Sequence, residues 1–492
     1  MLWYAYIYYL SFTLLSLSCV LFFLRIYFIK YINYSGTHST LSRVFLFFIM
    51  FLFFIMFTTL NYLLDYYSEV SYLTVNNSLV FVSGSILPKL VGIFSNSINL
   101  VQVYYYPFVY VFLLVTILAI VFCLTYNYDE LLSFIFYCQV ILMSGYILFF
   151  TDSLILFFLA YEMLLIPSFF ILYGFAKTRR CVEAAYLMFF WTQFGALFLI
   201  FAFIYLFITC GTSSFSIISV NFFSTFEVNF FFLCCLIGFG VKLPIWPFYG
   251  WLPKAHVEAS TNFSIFLSGV LVKFAFFGLL KCLITIQLEP TFIYAYPFLF
   301  IGVVDAVFKL FYQVDLKKLV AYSTVVEMHW LTMCVISGQT SLMLASFCML
   351  ISHALLSTSS FLLVDAIARR FKTRLLTEVS GLNYICPKLF LVALLNSLIF
   401  LGFPGSIFFI SEILFFSFFF DLFPVMALAL IVFLYLLGPT FFFRSWMNVM
   451  FGFSFFLSKK VPTDLTSREL LLFIGIAGLM YWLGVSWQAF VV

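Results

Sequence analysis

Charge is scarce in this chain. Asp, Glu, Lys and Arg together make up 9% of its 492 residues, where soluble domains carry about 25%. That shortage excludes a soluble globular domain. The net charge is only +4, and no nucleic-acid partner is expected. Metal-ligand patterns are missing too. The 11 cysteines are scattered, no CxxC occurs, and the neighbours Cys234 and Cys235 do not suit a zinc or iron–sulfur framework. They read as small buried hydrophobes. The first apolar run, near Trp3 to Tyr27, is too long for a signal peptide and lacks a small-residue cleavage site, so it reads as a retained helix.

What is abundant is apolar sequence. Hydrophobic residues make up 65% of the chain, in runs of about 20 residues that recur along its length, each able to cross a bilayer. The 75 phenylalanines have two readings. They are lipid-facing bulk, or they reflect a T-rich coding strand of the kind found in organellar genomes. The expected fold is an all-α polytopic membrane protein with spans near 4–27, 42–62, 105–126, 130–149, 151–174, 184–209, 230–248, 261–285, 293–312, 319–337, 341–364, 387–420, 424–445 and 469–489. That is about 14 helices, with edges good to a few residues.

Basic residues support this order. All but five of the 23 lysines and arginines lie in or beside loops that follow odd-numbered spans, from Arg25 to Arg468. Lys89 and Lys281 fall on the other side, and Lys242, Lys273 and Lys309 fall inside spans. An error of one span in the middle would scramble this bias. The rule that basic loops stay inside places that side in the cytoplasm or the mitochondrial matrix.

Two spans are interrupted. GFGVKLPIWPFYGWLPKAHVEAS, Gly238 to Ser260, sets Lys242 in an apolar run followed by Pro244, Pro247 and Pro253. A lysine there costs several kcal/mol by most estimates, and a broken helix is tolerated only inside protein or beside a wet cavity. The long run 387–420 is interrupted by Gly402, Pro404 and Gly405. The two breaks lie five spans apart, an odd offset that reverses direction across the membrane. Spans four to eight and nine to thirteen are therefore expected to be inverted five-helix repeats with the transport site at the breaks. The corresponding divisions are 1–104 (two helices and a polar loop), 105–129 (the third helix), 130–285 (first unit), 293–445 (second unit) and 446–492 (loop and last helix). The polar stretch 63–104 has no assigned role.

Ionisable residues inside spans are the candidate site: Glu162, Lys242, Lys273, His353 and Glu412, with His329 on the span before His353. A Glu–Lys contact favours both charged forms, so a pair whose separation changes is a proton-affinity switch. Histidine passes protons between its two ring nitrogens. The five residues are expected to form a hydrated relay parallel to the membrane. Structural ion pairing is the plainer alternative. Asp305 and Lys309, four residues apart, suit a local salt bridge. Glu183, Asp315, Lys317 and Lys318 read as solvated helix ends. Lys254, His256 and Glu258 read as a loop after the first break, either capping the next helix or gating proton entry. Ser323 and Thr324 bond water or backbone. A rival reading has His329 and His353 ligating a haem, and another makes the chain an inert assembly scaffold.

The motifs also carry a resemblance. WLPKAHVEAS (251–260) after VKLPIWP, with YEMLLIP (161–167), DLKKLVAYST (315–324), LISHALLSTSSF (350–361) and PGSIFFISE (404–412), resembles the chain 4 family of NADH–ubiquinone oxidoreductase, an antiporter-like subunit of respiratory complex I. The matches cover roughly residues 130–445. The resemblance implies a proton-translocating membrane-arm subunit with 14 helices in the mitochondrial inner membrane, encoded in the organelle. Its partners would be other membrane-arm subunits, sister antiporter-like chains and lipids. It implies no cofactor in this chain; FMN, iron–sulfur clusters, NADH and ubiquinone would belong to partner subunits. Glu162 and Lys242 match the family's carboxylate–lysine pair, Lys273 its central lysine, His353 its bridging histidine and Glu412 its terminal carboxylate. A cation/proton antiporter of the same superfamily is the nearest alternative. One departure stands out: Glu327 takes a position where the family carries histidine. His329, two residues on, lies about 200° around the helix and is expected to face elsewhere, which leaves Glu327 for the relay.

Overall fold

The computed structural model describes a few positions between 111 and 119 and most of residues 128–485, in the stretches 128–176, 178–219, 223–286, 294–433, 446–452 and 463–485, with Asn221. The spans expected at 4–27 and 42–62, the stretch 63–104 and most of 105–126 and 434–445 lie outside them. Every described element is helical apart from two isolated bridges, Ser153–Ser214 and Asp315–Leu375. Among the described residues six helices are long and apolar enough to cross a membrane, and the chain is an all-helical, multi-pass membrane protein.

Helix α1 is Tyr128–Phe150. Helix α2, Leu154–Gly174, is irregular at Leu164, where Pro167 has no N–H to donate to the turn before it. Helix α3 is Arg179–Cys210. Its 32 residues span about 48 Å, more than the ~30 Å hydrocarbon core. Helix α4, Thr225–Lys242, starts from a capping box between Ser224 and Glu227. It stops at Lys242, five residues before Pro247.

The segment 251–258 is not a loop. It forms helix α5, Trp251–Glu258, carrying Lys254, His256 and Glu258. Pro253 is tolerated because it sits in the first turn, where N–H groups have no partner inside the helix. None of those three residues caps the next helix; the Ser260 hydroxyl does, accepting from Phe263 N at 3.3 Å. Helix α6, Thr261–Thr285, contains a π turn at Leu267–Leu271. Helices α7 (Ala295–Phe311), α8 (Leu316–Ile336) and α9 (Thr340–Phe371) follow. Helix α9 runs past the expected end at 364 and carries Arg369 and Arg370 in its last turn, where cations suit the helix dipole. The second interrupted run resolves into α10, Pro387–Phe400, and α11, Ile407–Leu422. Gly402 and Gly405 between them adopt φ of 71° and 93°, values glycine reaches without strain. Helices α12 (Pro424–Ile431) and α13 (Ser467–Val485) follow, and short helical pieces lie at Phe215–Ile218 and Leu382–Ile385.

Burial ranks the helices. The apolar window of α6 is 100% buried and those of α8 and α9 are 94% buried, against 33% for α3. A helix apolar on every face belongs in the middle, so α6, α8 and α9 form the centre and α3 faces outward. The most buried helices also carry Lys273, Glu327, His329 and His353.

Candidate functional site

Two polar clusters sit in this bundle. The first is built on α2, α3 and α4. Lys242 is 9% exposed. Its ammonium donates to the Tyr161 carbonyl at 3.0 Å and lies 3.4 Å from the centre of the Tyr161 ring. Glu162 is the neighbouring carboxylate that acts on Lys242 electrostatically, yet the two make no direct ion pair. Instead Glu162 Oε2 accepts from Gln193 Nε2 on α3 at 2.9 Å, and Glu162 Oε1 is buried without a hydrogen-bond partner. Trp251 Nε1 donates to Val241 O at 2.8 Å, satisfying a carbonyl released by the end of α4.

The second cluster is central. Lys273 is fully buried. Its ammonium donates to the Ser268 carbonyl inside the π turn and lies 2.5 Å from His353 Nδ1 on α9. A π turn releases backbone oxygens from the regular ladder, and the lysine occupies one of them. Across the imidazole, His353 Nε2 lies 3.6 Å from Glu327 Oε2 on α8. Both of those atoms are buried without a hydrogen-bond partner, and the gap exceeds a normal hydrogen bond. Beside them is a cavity of about 20 Å³ lined by Ser323, Thr324, Ser357, Ser360, Asn396 and Ser397 together with Glu327 and His353. That is room for one water among polar partners. The serine and threonine hydroxyls already donate to carbonyls in their own helices, Ser323 to Val320 O at 2.8 Å and Thr324 to Ala321 O at 2.7 Å. Their oxygens can still accept. Glu412, half-buried in the second turn of α11, acts electrostatically on Glu327.

The clusters meet through apolar contacts. The Phe239 ring on α4 packs edge-on against Tyr161 at 5.2 Å and lies against Gly278 on α6, the helix that carries Lys273.

Other candidates sit apart. His329 Nε2 accepts from Trp246 N at 2.8 Å, and His329 Nδ1 lies 2.7 Å from Val325 O. Both nitrogens are committed to backbone, Nε2 at the first break and Nδ1 within α8, which leaves none for a haem iron. Lys254 is exposed. His256 is fully buried, stacks on Phe361 at 4.9 Å, and has no hydrogen-bond partner on either nitrogen. Lys317 is not a solvated end. It is 5% exposed and donates to Ala259 O at 2.5 Å. Asp305 and Lys309 do pair, at 2.8 Å, and Tyr249 joins them by donating to Asp305 and receiving from Lys309 at 2.6 Å. Sequence reasoning passed over Gln193 and Asn396, although an amide inside an apolar span is a visible signal.

Comparison with known proteins identifies the family of the chain. A family model described as NADH:quinone oxidoreductase/Mrp antiporter, transmembrane, matches residues 151–438. NADH-ubiquinone oxidoreductase chain 4 of Paramecium tetraurelia is 34% identical over 363 residues, 72% of this chain and 75% of that protein. The chain 4 protein of Chondrus crispus is 30% identical over 391 residues, 77% of this chain and 78% of that one. A chain of respiratory complex I from Thermus thermophilus, solved with bound NADH, has a TM-score of 0.70 at 20% identity, covers 79% of this chain and 82% of its own, and shares the fold. With more than half of its length matched by the family model, and with such relatives across three quarters of it, the chain belongs to the NADH–ubiquinone oxidoreductase chain 4 family.

Proposed function

We propose that this subunit of NADH:ubiquinone oxidoreductase carries protons across the mitochondrial inner membrane, through a buried relay of Glu162, Lys242, Lys273, His353 and Glu412, with Glu327 as an added station. One observation carries the reading. Lys273, His353 and Glu327 stand in sequence at 2.5 and 3.6 Å in the most buried part of the bundle, beside a polar cavity. Three neighbouring ionisable groups have little structural use there, since a well-packed apolar set stabilises a buried site at least as well. They do have a use if protons pass between them. Lys242 and Glu162 form the entry switch of the first half. Their separate holders, Tyr161 and Gln193, mark the open state.

The two breaks fit a pair of inverted five-helix units at 130–285 and 293–445, within about 14 helices in all. FMN, iron–sulfur clusters, NADH and ubiquinone are assigned to partner subunits of the membrane and peripheral arms. Lys254, His256 and His329 are left outside the relay. A cation/proton antiporter is the second reading, favoured by the family model's own scope. Copurification with a large NADH-oxidising assembly decides between the two.

The test is Lys242→Ala and Glu412→Ala in the assembled enzyme. Each is expected to lower coupled NADH oxidation and proton pumping about tenfold or more, each decade being ~1.4 kcal/mol of barrier. NADH oxidation by an artificial acceptor should be unchanged. Normal pumping in both variants sinks the relay.

A further inference from the structure

We infer that Gln193 is the positioning residue of the first half: its amide holds the Glu162 carboxylate in place and thereby sets the proton affinity of the Glu162–Lys242 switch. The inference rests on the relay reading of those two residues and adds a third member to them.

The geometry divides the carboxylate in two. Gln193 Nε2 donates to Glu162 Oε2 at 2.9 Å, while Glu162 Oε1 is buried without a partner. A buried carboxylate oxygen left unpaired is costly, so Oε1 is the place where a proton or an ammonium group is most stabilising. Lys242 is held next door, by the carbonyl and ring of Tyr161 at 3.0 and 3.4 Å. Tyr161 and Glu162 are consecutive on α2. Closing the pair therefore requires the lysine head to move and leaves the carboxylate where it is. Only a fixed acceptor makes that movement a switch.

Gln193 is well placed to fix it. It lies mid-way along α3, which is regular throughout, two residues from Gly195. Gly195 brings α3 close to α4: a Cβ there would stand 2.8 Å from Gly238 O and 3.2 Å from Val241 Cβ. The amide is thus carried by a helix locked against the one that bears Lys242. An amide suits the task because it donates at every pH without changing charge. A lysine or arginine at this point would pair with Glu162 permanently and abolish the switch.

The test uses the assembled complex in membranes, with NADH-driven proton pumping measured across pH. Gln193→Met keeps the volume and removes the donor. It is expected to lower the maximal pumping rate about threefold or more and to move the pH midpoint of pumping by roughly half a unit or more. A purely structural role would lower the rate at all pH values and leave the midpoint in place, which overturns the inference. An unchanged rate and midpoint overturns it too. Gln193→Leu, which lacks the amide donor and adds no titratable group, is read the same way if the methionine variant fails to assemble. Glu162→Gln separates the two claims. If that variant pumps normally, the relay reading of Glu162 falls and this inference falls with it. If it is impaired while both Gln193 variants keep the wild-type midpoint, only the inference falls.

Discussion

Glu327 stands 3.6 Å from an imidazole that is itself 2.5 Å from a lysine, and all three are buried. At that spacing a single water in the adjoining cavity can bridge carboxylate and ring, accepting from one and donating to the other. The prediction at this scale concerns charge type. Glu327→Gln preserves shape but removes the exchangeable proton, and pumping should fall roughly tenfold or more, as loss of a positioned acid–base group does. Glu327→His, by contrast, should retain at least about a third of wild-type pumping, because imidazole also exchanges protons near neutral pH. Proton flux in reconstituted vesicles distinguishes them. Much of this site was legible in the sequence, because a charge inside an apolar run is expensive enough to be conspicuous: Lys242, Lys273, His353 and Glu412 were all visible as such. The separation of Glu327 from His329 followed from helical rotation alone. Gln193 is visible as an amide in the apolar run WTQFG, but its partner Glu162, 31 residues away, is evident only in the folded chain.

Among elements, the two breaks are made by different chemistry. The first ends α4 with proline. The second turns on Gly402, whose positive φ and bare Cα both count, because a Cβ there would collide with Glu412 Oε2. Gly402→Ala should therefore cost about 1–2 kcal/mol for the backbone alone and displace the carboxylate. Pumping should drop more than thermal stability, a contrast that activity assays beside thermal unfolding of the purified complex would show. Gly302 on α7 is a packing counterpart. A Cβ there would enter the His329 ring and lie 2.8 Å from Trp246 Cβ. Gly302→Ala should destabilise the subunit by roughly 1–3 kcal/mol through overpacking, read as a lower unfolding temperature. The breaks were legible because Gly and Pro interrupt periodicity. Helix α5 was not, because WLPKAHVE is short and mixed enough to pass for a loop. The burial of Lys317 was equally hidden: its position at a helix end says water, and only the Ala259 carbonyl in the folded chain says otherwise.

Across the molecule, the basic segment after α9 is laced to the elements around it. Arg374 bonds Asp315 at 2.8 Å and Val257 O at 3.1 Å, while Leu316 N donates to Arg374 O and Leu376 N to Val314 O. One connection thus ties the start of α8 to the end of α5, across the two proposed units. Arg374→Ala should lower stability by about 1 kcal/mol or less, given its partial exposure. It should also raise amide hydrogen exchange at Val257 to Ala259. Sequence reasoning offered a charge bias but not this knitting, which depends on pairs far apart in the chain.

The π turn of α6 has a consequence for the whole bundle when seen as phase. One surplus residue in a helix rotates all that follows by about 100° and advances it by 1.5 Å. Lys273 comes two residues after that turn and faces His353. Deleting any one residue of Leu267–Leu271 would preserve every charge, every helix and the hydropathy profile, yet swing the lysine a quarter turn relative to the histidine. The connection between Lys273 and His353 is, in that sense, an angular registration held by one residue of excess length.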